Sequence, residues 1–589
     1  MVPSQRFHSL NNPSKKEEKK NTLFAMGDEP KEIRTSNVLN DYYNLGSYRR
    51  KAASNSEEAR EWFNRGLIWS YAFNHEESAK CFERAIVSDN DCILAYWGLA
   101  YVLGPNYNKP WEFFDEDEFN SVMERANDVA KQARARVGNA LPVEKALVDT
   151  LKYRYPQEED SWDKDWPIWN QRYADAMEKV YKEFPDDLDV ATLYVDALMN
   201  LTPWELWDIA TGEPASGART LEAKDILERA IAQPGGDRHP GLLHLYIHLM
   251  EMSTTPEAAL DVANTLRDLV PDAGHLIHMP THIDIILGDY QNAIESNQKA
   301  IIADDIFFSR EDPLKFYTLY RVHNIHFRIY AAMFAGQLKT TLETITRLEQ
   351  TLTDEILHVK SPPMADWMEG FLGMRVHGLI RFGRWQEIID LPFHEDEELY
   401  CTTNALNHYA KGIALAATGR IDEASKQREL FAEVVKVVPD SRTVFNNKCV
   451  DILGVAEAML DGELEYRRGN YDLAYSHLRV AIERSAALRY DEPWGWMQPP
   501  SHAYGALLVE QGHYDEAVEV YADDLGISGK LPRALQHPKN VWSLHGYHEC
   551  LVKLGRIDEA RAIKPQLDAA IAGADVPIKA SCFCRTSVF

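Results

Sequence analysis

Residues 275–283 read HLIHMPTHI, with imidazoles at His275, His278 and His282. Spacings of three and four residues put all three on one face of an α-helix. One segment earlier, HPGLLHLYIHLMEM carries His244 and His248, and one segment later YRVHNIHFRIYAAM carries His323 and His326. Neutral imidazole is a ligand for Zn, Cu, Fe or Ni. A catalytic ion takes about three protein ligands and keeps a position open for water, oxygen or substrate. These seven histidines are therefore the candidate ligands of a divalent transition metal such as Zn, Fe or Cu, acting by activating water or oxygen. Glu251, Asp284, Asp304 and Asp305 are the carboxylates placed to complete or orient such a set. Two other readings stay open. A metal-free stripe of imidazoles would bind an anionic or carboxylate ligand, and single histidines also serve as ordinary satisfied polar residues.

Pro280 interrupts the stripe. Inside a helix it would free the carbonyl of Leu276 and bend the segment, re-aiming His275 and His278 relative to His282. At the first turn of a helix it would simply start one.

The elements that must position these side chains show themselves by self-similarity. NHEESAKCFERAI, GDYQNAIESNQKAI, GRIDEASKQREL, GNYDLAYSHLRVAI, GHYDEAVEVYADDL and GRIDEARAI are variants of one phrase. Each begins with Gly or Asn, then a large residue, a small residue, and apolar positions at helical spacing. Most are flanked by a second helical stretch such as SHAYGALLVEQG or NHYAKGIALAATG. His244 to His278 is 34 residues, and so is His248 to His282. A helix, a glycine turn and a second helix in a 34-residue period resemble the tetratricopeptide repeat family.

That resemblance covers the chain from about Glu61 to Gly573 and implies an all-α fold, an α-solenoid of helical hairpins. In this family the first helices line a concave groove, with their second, fifth and ninth residues pointing in. The resemblance places His275, His278 and His282 there, and with them His244, His248, His323 and His326. Further units put His377, His502 and His545 in corresponding places, with Trp97, Trp542 and Tyr330 as groove aromatics. The expected organisation is a disordered polar tail (1–40), first repeat units (41–109) and a degenerate Trp-rich region (110–236). His-rich units (237–355), C-terminal units (356–574) and a Cys-containing tail (575–589) follow. What the resemblance implies about function is a groove for an extended peptide. The histidines point instead to a small-molecule ligand at a metal, so both partners remain expectations.

Composition narrows the field. Lys+Arg 63 against Asp+Glu 91 gives a net charge of −28, which excludes a nucleic-acid backbone or an anionic membrane as the main partner. No apolar run approaches the roughly 18 residues of a membrane span. Seven scattered cysteines form no disulfide framework, and a cytoplasmic location is expected. Cys582 and Cys584 would be a soft-metal or redox pair if the tail folds back, and an inert terminus otherwise. GPNYN at 104–108 reads as an ordinary capping turn after a helix, the alternative being a rigid turn that borders one end of the groove.

Overall fold

Helical hairpins follow one another along the chain, in a computed structural model that describes residues 41–156 and 164–588. The tail expected at 1–40, and the first residues of the DSWDKDWPIWNQ stretch, lie outside the described residues. Packed pairs include Glu57–Tyr71 with His75–Ser88, Thr318–Phe334 with Leu338–Thr351 and Cys449–Arg467 with Tyr471–Ala486. Pro500–Glu510 with Tyr514–Asp524 and Val541–Lys553 with Ile557–Gly573 continue the series. Among the described residues, the only strands are the two-residue pair Thr443–Val444 and Asn447–Lys448. The fold is an all-α solenoid.

The repeated phrase acts through its small residues. The Phe82 ring sits between two first helices, and a Cβ added at Gly66 or Gly98 would come within 2.8 or 2.5 Å of it. Tyr521 is seated the same way between Gly505 and Gly546, at 2.5 and 2.3 Å from such a Cβ. Any side chain there would push neighbouring helices apart. The turn glycine Gly288 has φ +74°, a region costly for other residues, and an added Cβ would lie 2.2 Å from the Pro538 carbonyl oxygen.

First helices form an inner layer: every residue of Pro240–Glu251 and of Gly274–His278 is buried. Second helices such as Tyr290–Phe308 show one side to solvent. The array then curls on itself. Arg533 donates to the Ile286 carbonyl at 2.7 Å, Tyr290 donates to the Pro538 carbonyl at 3.1 Å, and Trp542 Nε1 donates to the Met333 carbonyl at 2.7 Å. The concave side is therefore filled at the level of the histidines, where an open groove was expected.

The region 110–236 is helical too, with Glu116–Ala135, Pro142–Arg154, Trp166–Glu183, Leu188–Met199 and Thr220–Ile231. Its two Trp-rich stretches differ in role. Trp166 and Trp169 pack with Trp111 and Phe119 as core. Residues 201–219 form a loop anchored by Trp207 Nε1 donating to the Leu249 carbonyl at 2.7 Å. The C-terminal tail folds back: Cys582 and Cys584 are buried and disulfide-bonded, and Ser581 donates to the His502 carbonyl at 2.8 Å.

Candidate metal centre

Pro280 stands first in helix Pro280–Leu287, directly after helix Gly274–His278. Met279 between them stays helical (φ −48°, ψ −40°), so the chain keeps its course while the hydrogen-bond ladder breaks once. Across that break the Nε2 atoms of His278 and His282 approach to 2.8 Å. The 34-residue register also holds in space: the rings of His248 and His282 have centroids 5.6 Å apart. His244 and His275 meet Nε2 to Nε2 at 3.1 Å, and the His323 ring lies 4.4 Å from His278.

Three overlapping groups result, each with its ligand atoms within 4.8 Å of one another. They are His244, His248 and His275; His278, His282 and His323; and His248, Glu251 and His282. All of these are buried. A carboxylate not foreseen in the sequence joins them. Glu492, from the irregular stretch before helix Pro500–Glu510, contacts His282 Nδ1, which also lies 2.5 Å from Glu251 Oε2.

The outer ring nitrogens are held by oxygen. His244 Nδ1 donates to the Tyr71 carbonyl at 2.6 Å. His278 Nδ1 lies 2.7 Å from Asn297 Oδ1. The amide orientation follows from Asn297 Nδ2, which donates to the Ala293 carbonyl at 2.9 Å, so His278 Nδ1 is the donor. His248 Nδ1 lies 2.9 Å from Glu251 Oε1. Oxygen acceptors on Nδ1 fix the tautomer that leaves Nε2 as a bare lone pair, the arrangement that orients metal-bound histidines. Here three such Nε2 atoms, of His244, His248 and His278, turn inward.

Burial holds these imidazoles neutral. It lowers His244 to about 3 and His278 to about 4. His248, His275, His282 and His323 lie well below the ordinary value through burial and then through neighbouring imidazoles. Burial raises Glu251 well above the usual carboxylate range, and the facing Glu492 raises it further; burial raises Glu492 as well. Among the described residues, neither carboxylate meets a lysine or arginine. His248 Nε2, His275 Nδ1, His282 Nδ1, Glu251 Oε2 and both oxygens of Glu492 are buried without an aligned hydrogen bond.

Three aromatic residues close the cluster from a left-handed backbone, which is unfavourable for large side chains. Phe73 (φ 55°) packs on His244 with centroids 4.4 Å apart, Trp204 (φ 61°) on His248 at 5.9 Å, and Phe445 (φ 47°) on His323 at 4.8 Å. Tyr107, from the GPNYN turn, lies 5.0 Å from His248.

Other sequence candidates stand elsewhere. His326 faces away from His323, with Nε2 2.9 Å from Met497 Sδ and its ring on Phe371. Asp284 is held by both terminal nitrogens of Arg267 at 2.9 Å. Asp304 accepts from Asn324 at 2.7 Å, and Asp305 pairs with Arg321 and Arg347. Tyr330 packs on Phe334, His377 on Trp496, and Trp97 stacks on Tyr101. His502 binds Asp524 at 3.0 Å, Trp542 lies under Arg381, and His545 sits by Glu549 and Arg585. Glu492, Asn297, Phe73 and Trp204 were the residues that sequence reasoning missed, whereas Tyr107 is the aromatic of the GPNYN turn, which one reading of the sequence sets at the border of the groove. Asn297 had a signal, since it shares the buried helix face of Ala293 and Ala300.

No protein-family model matches the chain, and no curated protein matches it. Among solved structures it is similar to the APC/C hetero-tetramer Cut9-Hcn1, at 12% identity over 88% of each chain with a TM-score of 0.28. It is also similar to Naa15/Naa10 bound to HypK-THB, at 12% identity over 87% of this chain and 70% of that one, with a TM-score of 0.20. These likenesses carry no argument about the site.

Proposed function

We propose that this helical-repeat protein is a metalloprotein that acts on a small molecule, with a divalent transition metal held by His244, His248, His275, His278, His282 and His323. Glu251 and Glu492 complete and orient the set. The observation that carries this reading is the convergence of imidazole Nε2 atoms beside two buried carboxylates that meet no lysine or arginine among the described residues. Donors of this kind at this spacing suit Zn, Fe or Cu, and they exceed what one ion needs. A metal there would polarise bound water, oxygen or a substrate carbonyl. The chain's own contribution is a buried ligand set, pre-aimed by Tyr71, Asn297 and Glu251, with imidazoles that burial keeps neutral.

Elemental analysis of protein purified without an affinity tag tests this. About one to two metal equivalents per chain are expected. The double variant His278→Ala, His282→Ala should lose them while keeping its helical circular dichroism. Full metal content in that variant, or a wild type that takes up none of Zn, Fe, Cu or Mn, overturns the reading.

A second reading, a scaffold for a partner peptide, rests on a different place. A charged cleft of about 370 Å³ beside helix His75–Ser88 is lined by Glu76, Lys80, Glu118 and Arg125. It lies open where the histidines are sealed. A scaffold of this kind would bind its peptide equally well in the histidine double variant.

A further inference from the structure

An apolar cavity of about 120 Å³ adjoins the cluster. Trp204, Phe316, Tyr320, Trp367 and Phe445 line it, and His323 belongs both to its wall and to the ligand set. Three of those aromatics touch both the cavity and a cluster histidine: Trp204 meets His248, Phe445 meets His323, and Tyr320 packs on His275 with centroids 4.8 Å apart. Trp204, Trp367 and Phe445 are only half-buried, as is Leu319 beside them, so the cavity has a mouth. Large apolar side chains around an opening are costly unless something covers them.

Size and polarity say what fits. An apolar cavity of about 150 Å³ accepts benzene, so this one suits a single six-membered ring. Asn108 lines the same wall as a hydrogen-bonding neighbour of the Tyr320 hydroxyl, and its Oδ1 is buried without a partner. A ligand hydroxyl or amine would give that oxygen one. We propose that the cavity binds a monocyclic aromatic molecule bearing one hydrogen-bonding substituent, with its ring against His323 and its reacting side towards the metal. This deepens the metalloprotein reading and rests on it.

The test uses phenol as the probe on Co(II)-loaded protein, read by calorimetry and by the visible cobalt bands. Phenol should saturate one site and shift the bands. Leu319→Trp, which fills the mouth, should abolish phenol binding and retain cobalt. Asn108→Ala should weaken phenol about tenfold and leave toluene unchanged. Cobalt-loaded protein that ignores phenol, or a Leu319→Trp variant that binds it as tightly as wild type, overturns the inference and leaves the metal reading standing. Failure to take up cobalt overturns the metal reading instead. Calorimetry of phenol against the metal-free wild type and both variants then decides the cavity on its own, and equal binding by all three sinks it.

Discussion

Two buried polar centres of the molecule, one around Asp524 and one around Glu251 and Glu492, are built on opposite principles. Around Asp524 every oxygen has work. Oδ1 accepts from Ser501 at 3.2 Å and lies 2.9 Å from His537 Nδ1. Oδ2 accepts from Asn540 at 3.0 Å and Ser543 at 2.6 Å, and lies 3.0 Å from His502 Nε2. Those partners hold its carboxyl well below the usual range despite burial. Asp189 is similarly saturated by Arg50, Tyr48, Tyr71 and His239. Glu251 and Glu492 face each other across His282 with far fewer donors, His248 being the one aligned to Glu251, and their carboxyl groups move up instead. Self-satisfied polar clusters lock a fold, whereas a buried cluster with bare lone pairs wants a guest.

The largest effect belongs to Asp524→Ala. Removing that carboxylate strands His502, His537, Asn540 and Ser543 in the interior, at a cost of about 3–5 kcal/mol. Urea denaturation should show the loss, while metal content per folded chain stays at the wild-type level. A loss below about 1 kcal/mol would erase the distinction between the two centres.

Acid should weaken the metal-free fold through imidazoles outside both centres as well. Burial lowers His377 to about 4, and His326 nearby to about 3. The unfolded value is near 6.5, so the unfolded chain binds more protons between those limits. The fold keeps its full stability above pH 6.5 and loses it as pH falls towards 4, by up to about 3 kcal/mol for His377 alone. Asp524 acts in a lower window, because its depressed carboxyl keeps its charge until pH falls through that depressed value. His377→Phe should therefore flatten the slope of unfolding free energy between pH 6.5 and 4.5 by about one proton. An unchanged slope would place the proton uptake elsewhere.

Glu492→Gln should move two quantities in different directions. Metal affinity falls about 10- to 100-fold, because the carboxylate at His282 is gone. Metal-free stability holds or rises, because a buried acid crowded against Glu251 has been removed. Titration with a competing chelator and denaturation of the stripped protein measure both. A variant that loses stability and keeps its affinity would make Glu492 a structural residue like Asp524.

Much of this arrangement was legible in the sequence, and the parts that were not share a cause. The 34-residue period gave His248 over His282 because equivalent residues in stacked hairpins must meet. Periodicity cannot report contacts made by the curl of the array, and Glu492 reaches His282 from 210 residues away. Asp284 was a reasonable ligand by position, yet a cation on a neighbouring helix, Arg267, had the stronger claim. His326 follows His323 by three residues and shares its helix face in sequence, yet its Nε2 meets Met497 Sδ, brought there by the curl of the array. The solvent-lined groove implied by the repeat is absent at this level because Phe73, Tyr107 and Trp204 fill it from loops that have no period at all.

Asn297→Ala should have the smallest effect, and it isolates positioning from ligation. Asn297 touches no candidate ligand atom directed inward. Its Oδ1 holds His278 Nδ1, and its Nδ2 ties back to Ala293 and Thr281. Without it the His278 ring loses the contact that keeps Nε2 facing His282, and metal affinity should drop by about tenfold. Asn297→Asp keeps an acceptor at the same place and should recover most of that loss. A core role alone predicts otherwise: both substitutions would lower stability, and neither would move the metal affinity of the fraction that remains folded.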